Sequence, residues 1–271
     1  MTLVRTPSAD PVRHRDLFYE EFGDGVPILL IHPAGSTAST WGSMISELAR
    51  IGRVIAYDRR GNARSGGDPV RSVATHTADA AALLEYVGAP PAVVAGTSAG
   101  ATIAIDLAVR RPDLVRAVVA HEAPWRFTRR LPNLGQLTAI ARIGAFAIRG
   151  RPEDAAEALL RSAYSYRDGG SAWDAFPEEW RRAGRESGSA AVADFLNSIG
   201  EYPSAARLAT VRAPVACSYG ARSPENMAYF AKTLAAAIPR ATTHRIDGSG
   251  HAAPFDAPAA FGALIAAGVS T

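Results

Sequence analysis

Cysteine occurs once in this 271-residue chain, at Cys217, so no disulfide framework can hold the fold. Lysine also occurs once, at Lys232, and nearly all of the basic charge is arginine. The 29 basic residues barely exceed the 26 acidic ones, and a net charge of +3 is too small to argue for nucleic acid. No apolar run reaches the ~18 residues that a membrane span needs. The first residues, Met1-Thr2-Leu3-Val4-Arg5, lack the apolar stretch of a signal peptide. With no cysteine pair, the expected compartment is the cytoplasm. There is no internal repeat and no low-complexity tract. What is abundant is apolar: 48% of residues are hydrophobic and 20% charged, as in an ordinary globule. A chain of this length is one large domain, or one domain with an insertion, and buries roughly three-quarters of its unfolded surface.

The pattern along the chain is an alternation. Asp16–Phe22 has strand character and ends in the turn signal Gly23-Asp24-Gly25, which reads as an early antiparallel hairpin arm. Val26–Ile31, Arg53–Tyr57, Pro91–Gly96 and Val115–Ala120 are short apolar runs, as expected of strands covered on both faces. Between them Trp41–Ile51, Thr77–Val87 and Ala99–Arg110 have helical spacing. The alternation stops from about Trp125 to Tyr202, where the helical patterns Gln136–Arg149 and Pro152–Tyr166 appear with no buried strand. It resumes with strands at Pro214–Tyr219 and Thr242–Ile246 and helices at Pro224–Ile238 and Ala257–Ala267. This predicts an α/β core of residues 1–124 and 203–271, a mostly parallel sheet flanked by helices. Residues 125–202 form a helical cap inserted into it.

The strand Pro91–Gly96 runs into Gly96-Thr97-Ser98-Ala99-Gly100, and a helix follows. This is the G-x-S-x-G nucleophile elbow in its required strand–turn–helix setting. The turn lifts a serine hydroxyl above the sheet. It also sets the N–H of Ala99 at a helix N-terminus, where partial positive charge stabilises an oxyanion. A second donor is needed, and His32-Pro33-Ala34-Gly35 follows the strand Val26–Ile31. Pro33 has no N–H, so Ala34 is the candidate. A base is needed too. His251 in Gly248-Ser249-Gly250-His251 follows the last strand, where a flexible loop can reach Ser98. Among the other histidines, His14 and His76 read as solvated, His244 as a strand residue and His32 as loop packing. The loop Asp58–Ser65 reads as structural, and Cys217 as a small buried hydrophobe. No cysteine or histidine pair has metal-ligand spacing.

Together the His32–Gly35 loop with Trp41, the Asp58–Ser65 loop, Gly96–Gly100 and Gly248–His251 resemble the α/β-hydrolase superfamily over nearly the whole chain. The resemblance implies a sheet of about eight strands. It also implies a Ser98–His251 pair completed by an acid, and no cofactor. Relatives usually have His-Gly where this chain has His32-Pro33. They usually carry the acid after the strand that here is Pro214–Tyr219, where this chain has Ser223. Three carboxylates are available. Glu122 follows the strand Val115–Ala120, where some dehalogenases and the zearalenone-type lactone hydrolases keep their acid. Glu225 opens a helix, whose N-terminal dipole it suits. Asp247 leaves little chain to swing beneath the histidine. Glu122 is preferred.

Three of the four tryptophans, Trp125, Trp173 and Trp180, fall in the insertion and are candidates for an apolar pocket, with Trp125 nearest the hinge. Arginines spaced along 126–151 read as a solvated face, with an acidic substrate or carrier partner as the alternative. The reading is therefore a serine hydrolase of a small-molecule ester or lactone, needing no nucleic acid, membrane or metal. Carbon–carbon or thioester hydrolysis, a lyase step and a ligand-binding module with little turnover are the alternatives.

Overall fold

The computed structural model describes residues 4–7, 17–124, 134–197 and 202–271. Eight strands form one sheet: β1 Val4–Pro7, β2 Phe18–Phe22, β3 Pro27–Ile31, β4 Arg53–Tyr57, β5 Ala92–Thr97, β6 Val115–His121, β7 Val215–Gly220 and β8 Ala241–Ile246. Their order across the sheet is β1-β2-β4-β3-β5-β6-β7-β8. The pairs β1·β2 and β2·β4 are antiparallel, and from β4 to β8 every pair is parallel. β2 is thus antiparallel but is not the arm of a hairpin with β3. The chain passes through Gly23–Gly25 and β3 enters on the far side of β4, because its apolar run Pro27–Ile31 needs cover on both faces.

Helices α1 Met44–Leu48, α2 Val73–Tyr86 and α3 Ala99–Arg110 connect the first parallel strands. α10 Glu225–Ala237, α11 Ala253–Asp256 and α12 Pro258–Val269 complete the carboxyl-terminal half. The two-residue period of the strands divides the core. Leu29, Ile55, Val94 and Val118 face α2, α3 and α10. Their neighbours Ile28, Val54, Val93 and Ala117 face Met44 and Leu48 of α1 and Phe261 and Ile265 of α12.

Six helices lie between β6 and β7 among the described residues: α4 Leu134–Ile148, α5 Pro152–Ala163, α6 Ala172–Ala175, α7 Glu178–Glu186, α8 Gly188–Asn197 and α9 Ala205–Leu208. Their own cluster joins Leu160, Tyr164, Trp173 and Phe176 to Ala252 beside the histidine loop. Arg59, fully buried after β4, clasps Asp194 on α8: Nη1 donates to Oδ1 at 3.0 Å and Nη2 to Oδ2 at 2.6 Å. The loop Asp58–Ser65 also binds itself. Arg64 donates to Asp58, and the Ser65 hydroxyl donates to the Asp58 carbonyl at 2.5 Å. No helix among the described residues is long and apolar enough to cross a membrane.

Candidate active site

β5 delivers Ser98 to the carboxyl edge of the sheet, and α3 begins at the next residue. Ser98 has φ 51° and ψ −120°, a left-handed conformation that L-residues hold only under constraint. The glycines supply the constraint. A Cβ on Gly96 would lie 2.3 Å from the Gly100 carbonyl oxygen, and one on Gly100 would lie 2.1 Å from that of Ile31. Strand, turn and helix are too close for any larger residue. The Ser98 N–H donates to the His121 carbonyl at 2.9 Å, locking the elbow to β6.

The Ala34 loop is held from beneath. The Arg59 N–H donates to Nε2 of His32 at 2.9 Å. Its guanidinium donates to the carbonyls of His32 and Pro33 at 3.2 and 3.1 Å. Nε2 of His32 therefore carries the lone pair, and Nδ1–H donates to the Pro33 carbonyl at 2.8 Å. Burial and the Arg59 charge hold the His32 pKa well below the ordinary value, so the ring is neutral. Among the described residues, the N–H groups of Ala34 and Ala99 have no acceptor.

Glu122 directly follows β6 and is 1% exposed. Its φ is 48°, a second left-handed non-glycine residue at this edge. Oε2 accepts from Nδ1 of His251 at 2.6 Å, and Oε1 accepts from the Gly220 N–H at 2.8 Å. Burial pushes the carboxyl pKa up. Hydrogen bonding from His251, with His121 and the Ser223 hydroxyl close by, outweighs it and holds the pKa at about 2. Ser223 itself is buried, and its hydroxyl makes no hydrogen bond of ordinary geometry. Since Nδ1–H points to the carboxylate, Nε2 of a neutral His251 is free to take a proton. Among the described residues no hydrogen bond joins the Ser98 hydroxyl to His251; such bonds are often long until substrate binds. Glu225 is exposed at the first turn of α10, and the exposed Asp247 pairs with Arg245 at 3.0 Å.

The histidine loop has supports that the sequence reading passed over. His121 donates from Nε2 to the Gly250 carbonyl at 3.1 Å, and its Nδ1 lies 3.1 Å from the Ser218 hydroxyl, which donates to it. The Gly250 N–H donates to Asp256, whose other oxygen accepts from the Tyr166 hydroxyl at 2.7 Å. The Tyr164 ring lies 5.5 Å from the His251 ring. His121 stood beside Glu122 in the sequence; Asp256 and Tyr166 gave no signal there.

Trp173 is 1% exposed and packs on Phe176 inside the insertion. Trp180 contacts Phe176 and Phe255, linking α7 to α11. Trp125 and His14 lie outside the described residues. His76, read as solvated, is instead 3% exposed: Arg59 and Asp194 meet it from distant parts of the chain. Cys217 is buried, which pushes its thiol up to about 12. Among the described residues no three His, Cys, Asp or Glu side chains are grouped as ligands for a metal ion.

The family model described as "Alpha/beta hydrolase family" matches residues 28–264. An uncharacterised hydrolase of Bacillus subtilis, YraK, is 37% identical over 110 residues, 40% of this chain and 41% of that protein. The zearalenone hydrolase of Bionectria ochroleuca is 29% identical over 126 residues, 44% of this chain. The chain thus spans less than half the length of either relative. Among solved structures, the enol-lactonase of Burkholderia xenovorans superposes with a TM-score of 0.78 at 18% identity, covering 96% of this chain and 98% of that one. At that identity the likeness concerns the fold.

Proposed function

From a chain that belongs to the α/β-hydrolase family, we propose a serine hydrolase that cleaves a carboxylic ester or lactone of moderate size and apolar character through an acyl-enzyme. The observation that carries this reading is the 2.6 Å bond from Nδ1 of His251 to Glu122, beside a serine held at φ 51°. In this reading Nε2 of His251 takes the Ser98 proton as Oγ attacks the carbonyl carbon. Glu122 fixes the tautomer and stabilises the imidazolium. The N–H groups of Ala34 and Ala99 hold the oxyanion of the tetrahedral intermediate. Collapse expels the alcohol, which takes the proton from His251. A lactone keeps that alcohol tethered to its own acyl group. Water then attacks the acyl-enzyme with His251 again as base, releasing the acid and restoring Ser98. No cofactor enters these steps. Residues 125–202 act as a cap over the core of residues 1–124 and 203–271, with Trp125 and Trp180 contributing to the apolar side of the pocket and the buried Trp173 supporting the cap from within. The lactone preference rests on the likeness of fold to the enol-lactonase and on the position of Glu122, which resembles that of the zearalenone-type lactone hydrolases, and is an analogy of fold and site.

The test is a panel of esters and lactones run with the native protein and Ser98→Ala, together with fluorophosphonate labelling. Turnover and labelling that both vanish in Ser98→Ala support the reading. Absence of turnover across the panel despite labelling points to a binding module, and equal turnover by the variant removes Ser98 from the chemistry.

A further inference from the structure

Beside the Ser98 elbow, α2, α3 and α8 border a small, half-open pocket with room for about one water-sized group. Ala99, the residue after Ser98, forms part of its wall, and Val73, Ile103 and Pro124 make much of the rest apolar. Four lining residues, His76, Thr102, Asp194 and Tyr202, break that character, and the first two carry unpaired polar atoms. His76 is 3% exposed and Thr102 2%, and among the described residues neither Nδ1 of His76 nor Oγ1 of Thr102 has a hydrogen-bond partner. A buried polar atom left unpaired is costly, and two beside one cavity point to a group that enters it.

The protonation of the pair follows from its neighbours. Nη1 of Arg59 lies 3.5 Å from Nε2 of His76, and a guanidinium can only donate. Nε2 therefore carries the lone pair and the hydrogen sits on Nδ1. Burial, reinforced by the Arg59 charge, lowers the His76 pKa to about 4, so the ring is neutral at physiological pH. His76 and Thr102 thus give the cavity one fixed N–H donor and one hydroxyl that can donate or accept, beside the Tyr202 side chain. Among the described residues the cavity presents no spare charge. Asp194, the acid in its lining, has both oxygens bound by Arg59. A carboxylate would enter beside Asp194 with no free cation, and an ammonium would find Asp194 already neutralised and Arg59 nearby.

We propose that this cavity is a specificity subsite for an uncharged oxygen of the substrate, a hydroxyl or carbonyl close to the scissile bond, bound by the His76 Nδ1–H and the Thr102 hydroxyl. The proposal rests on the hydrolase reading for what enters the site. An alkyl group there would leave both polar atoms unpaired, and a site built on hydrogen bonds rejects the analogue that lacks the oxygen.

The experiment compares matched pairs: 4-nitrophenyl 3-hydroxybutyrate against the butyrate on the acyl side, and 2-methoxyethyl butyrate against butyl butyrate on the alcohol side. The readout is the ratio of kcat/KM within each pair for the native protein, Thr102→Val, Thr102→Ser and His76→Phe. A ratio needs no constancy of the underlying rate. In at least one pair the native ratio favours the oxygenated ester, falls about tenfold or more in Thr102→Val and His76→Phe, and recovers in Thr102→Ser. A native ratio near one in both pairs, or a preference that survives Thr102→Val and His76→Phe, overturns the subsite. Should no ester be hydrolysed, the hydrolase reading fails separately. Calorimetric binding of methyl 3-hydroxybutyrate and methyl butyrate to Ser98→Ala then decides. Tighter binding of the hydroxy ester that Thr102→Val abolishes upholds the subsite; equal binding means that the cavity holds water alone.

Discussion

Glu122 and His251 stand 129 positions apart, yet Oε2 of one lies 2.6 Å from Nδ1 of the other. The fold makes this contact from two sides. Gly220 at the end of β7 gives its N–H to the same carboxylate, and His121 at the end of β6 holds the carbonyl of Gly250. Glu122 and the loop that carries His251 are thus fixed to neighbouring strands, and their contact forms without a substrate.

Graded losses follow from that arrangement. Ser98→Ala and His251→Ala are each expected to lower kcat by roughly 10⁴–10⁶, since either removes the unit. Glu122→Gln keeps the shape and the bond from Gly220 but loses the charge, and a cost of roughly 10²–10⁴ is expected. Steady-state kinetics on one good ester separates them. A Glu122→Gln protein as fast as the native one would move the acid elsewhere, with Glu225→Gln the next variant to measure.

Acid should destabilise the protein through the same residue. The Glu122 pKa falls from 4.5 to about 2 on folding. A carboxyl lowered in this way contributes stability that is fully present above pH 4.5 and is lost as pH falls toward 2. The linked amount is up to about 3 kcal/mol, at ~1.4 kcal/mol per unit. Urea unfolding at pH 6, 4 and 3 should show native stability dropping more steeply than that of Glu122→Gln. Parallel curves would contradict the assignment.

The Arg59–Asp194 pair ties the insertion to the core, and its arginine also holds the carbonyls of His32 and Pro33. Asp194→Asn leaves a buried guanidinium without its counterion, at a cost of about 3–5 kcal/mol. Replacing both, as in Arg59→Met with Asp194→Leu, should cost less than Asp194→Asn alone, because no uncompensated charge remains. Denaturant midpoints for the three proteins check this. A double variant less stable than the single one would mean that the carbonyl bonds of Arg59 matter more than its charge.

What the sequence could reveal follows the range of the interactions. Strand β4 at Arg53–Tyr57 and helix α3 at Ala99–Arg110 fall where apolar runs and the glycine turn predict them, since those signals are local. Ser98, His251 and Glu122 could be singled out as candidates because each follows a strand that the alternation marks. The partner of β2 could not be read, because Gly23-Asp24-Gly25 signals a turn without saying which strand receives it. His76 was misread for a similar reason. Its surroundings on α2 look like a helix surface, and Arg59 from the loop after β4 and Asp194 from α8 meet it there. Trp173 could be assigned to the insertion but not to its interior, which depends on how α5, α6 and α7 meet.

Ser223 offers the sharpest test of the proposal that Glu122 is the acid. It follows β7, where relatives of this fold usually keep the carboxylate, and it is 3% exposed with an unpartnered hydroxyl close enough to Glu122 to lower its pKa. The two positions therefore share one small buried space beside His251. Two carboxylates there would repel, and one would be forced to keep its proton. Ser223→Asp in the native background should thus lose activity or stability at pH 7. In the Glu122→Gln background the same substitution supplies the missing charge from the other strand. The Glu122→Gln/Ser223→Asp protein is expected to be at least about tenfold faster than Glu122→Gln, a recovery of ~1.4 kcal/mol in the transition state. A double variant no faster than Glu122→Gln would show that β7 no longer aims a side chain at the imidazole, and that β6 alone holds the geometry.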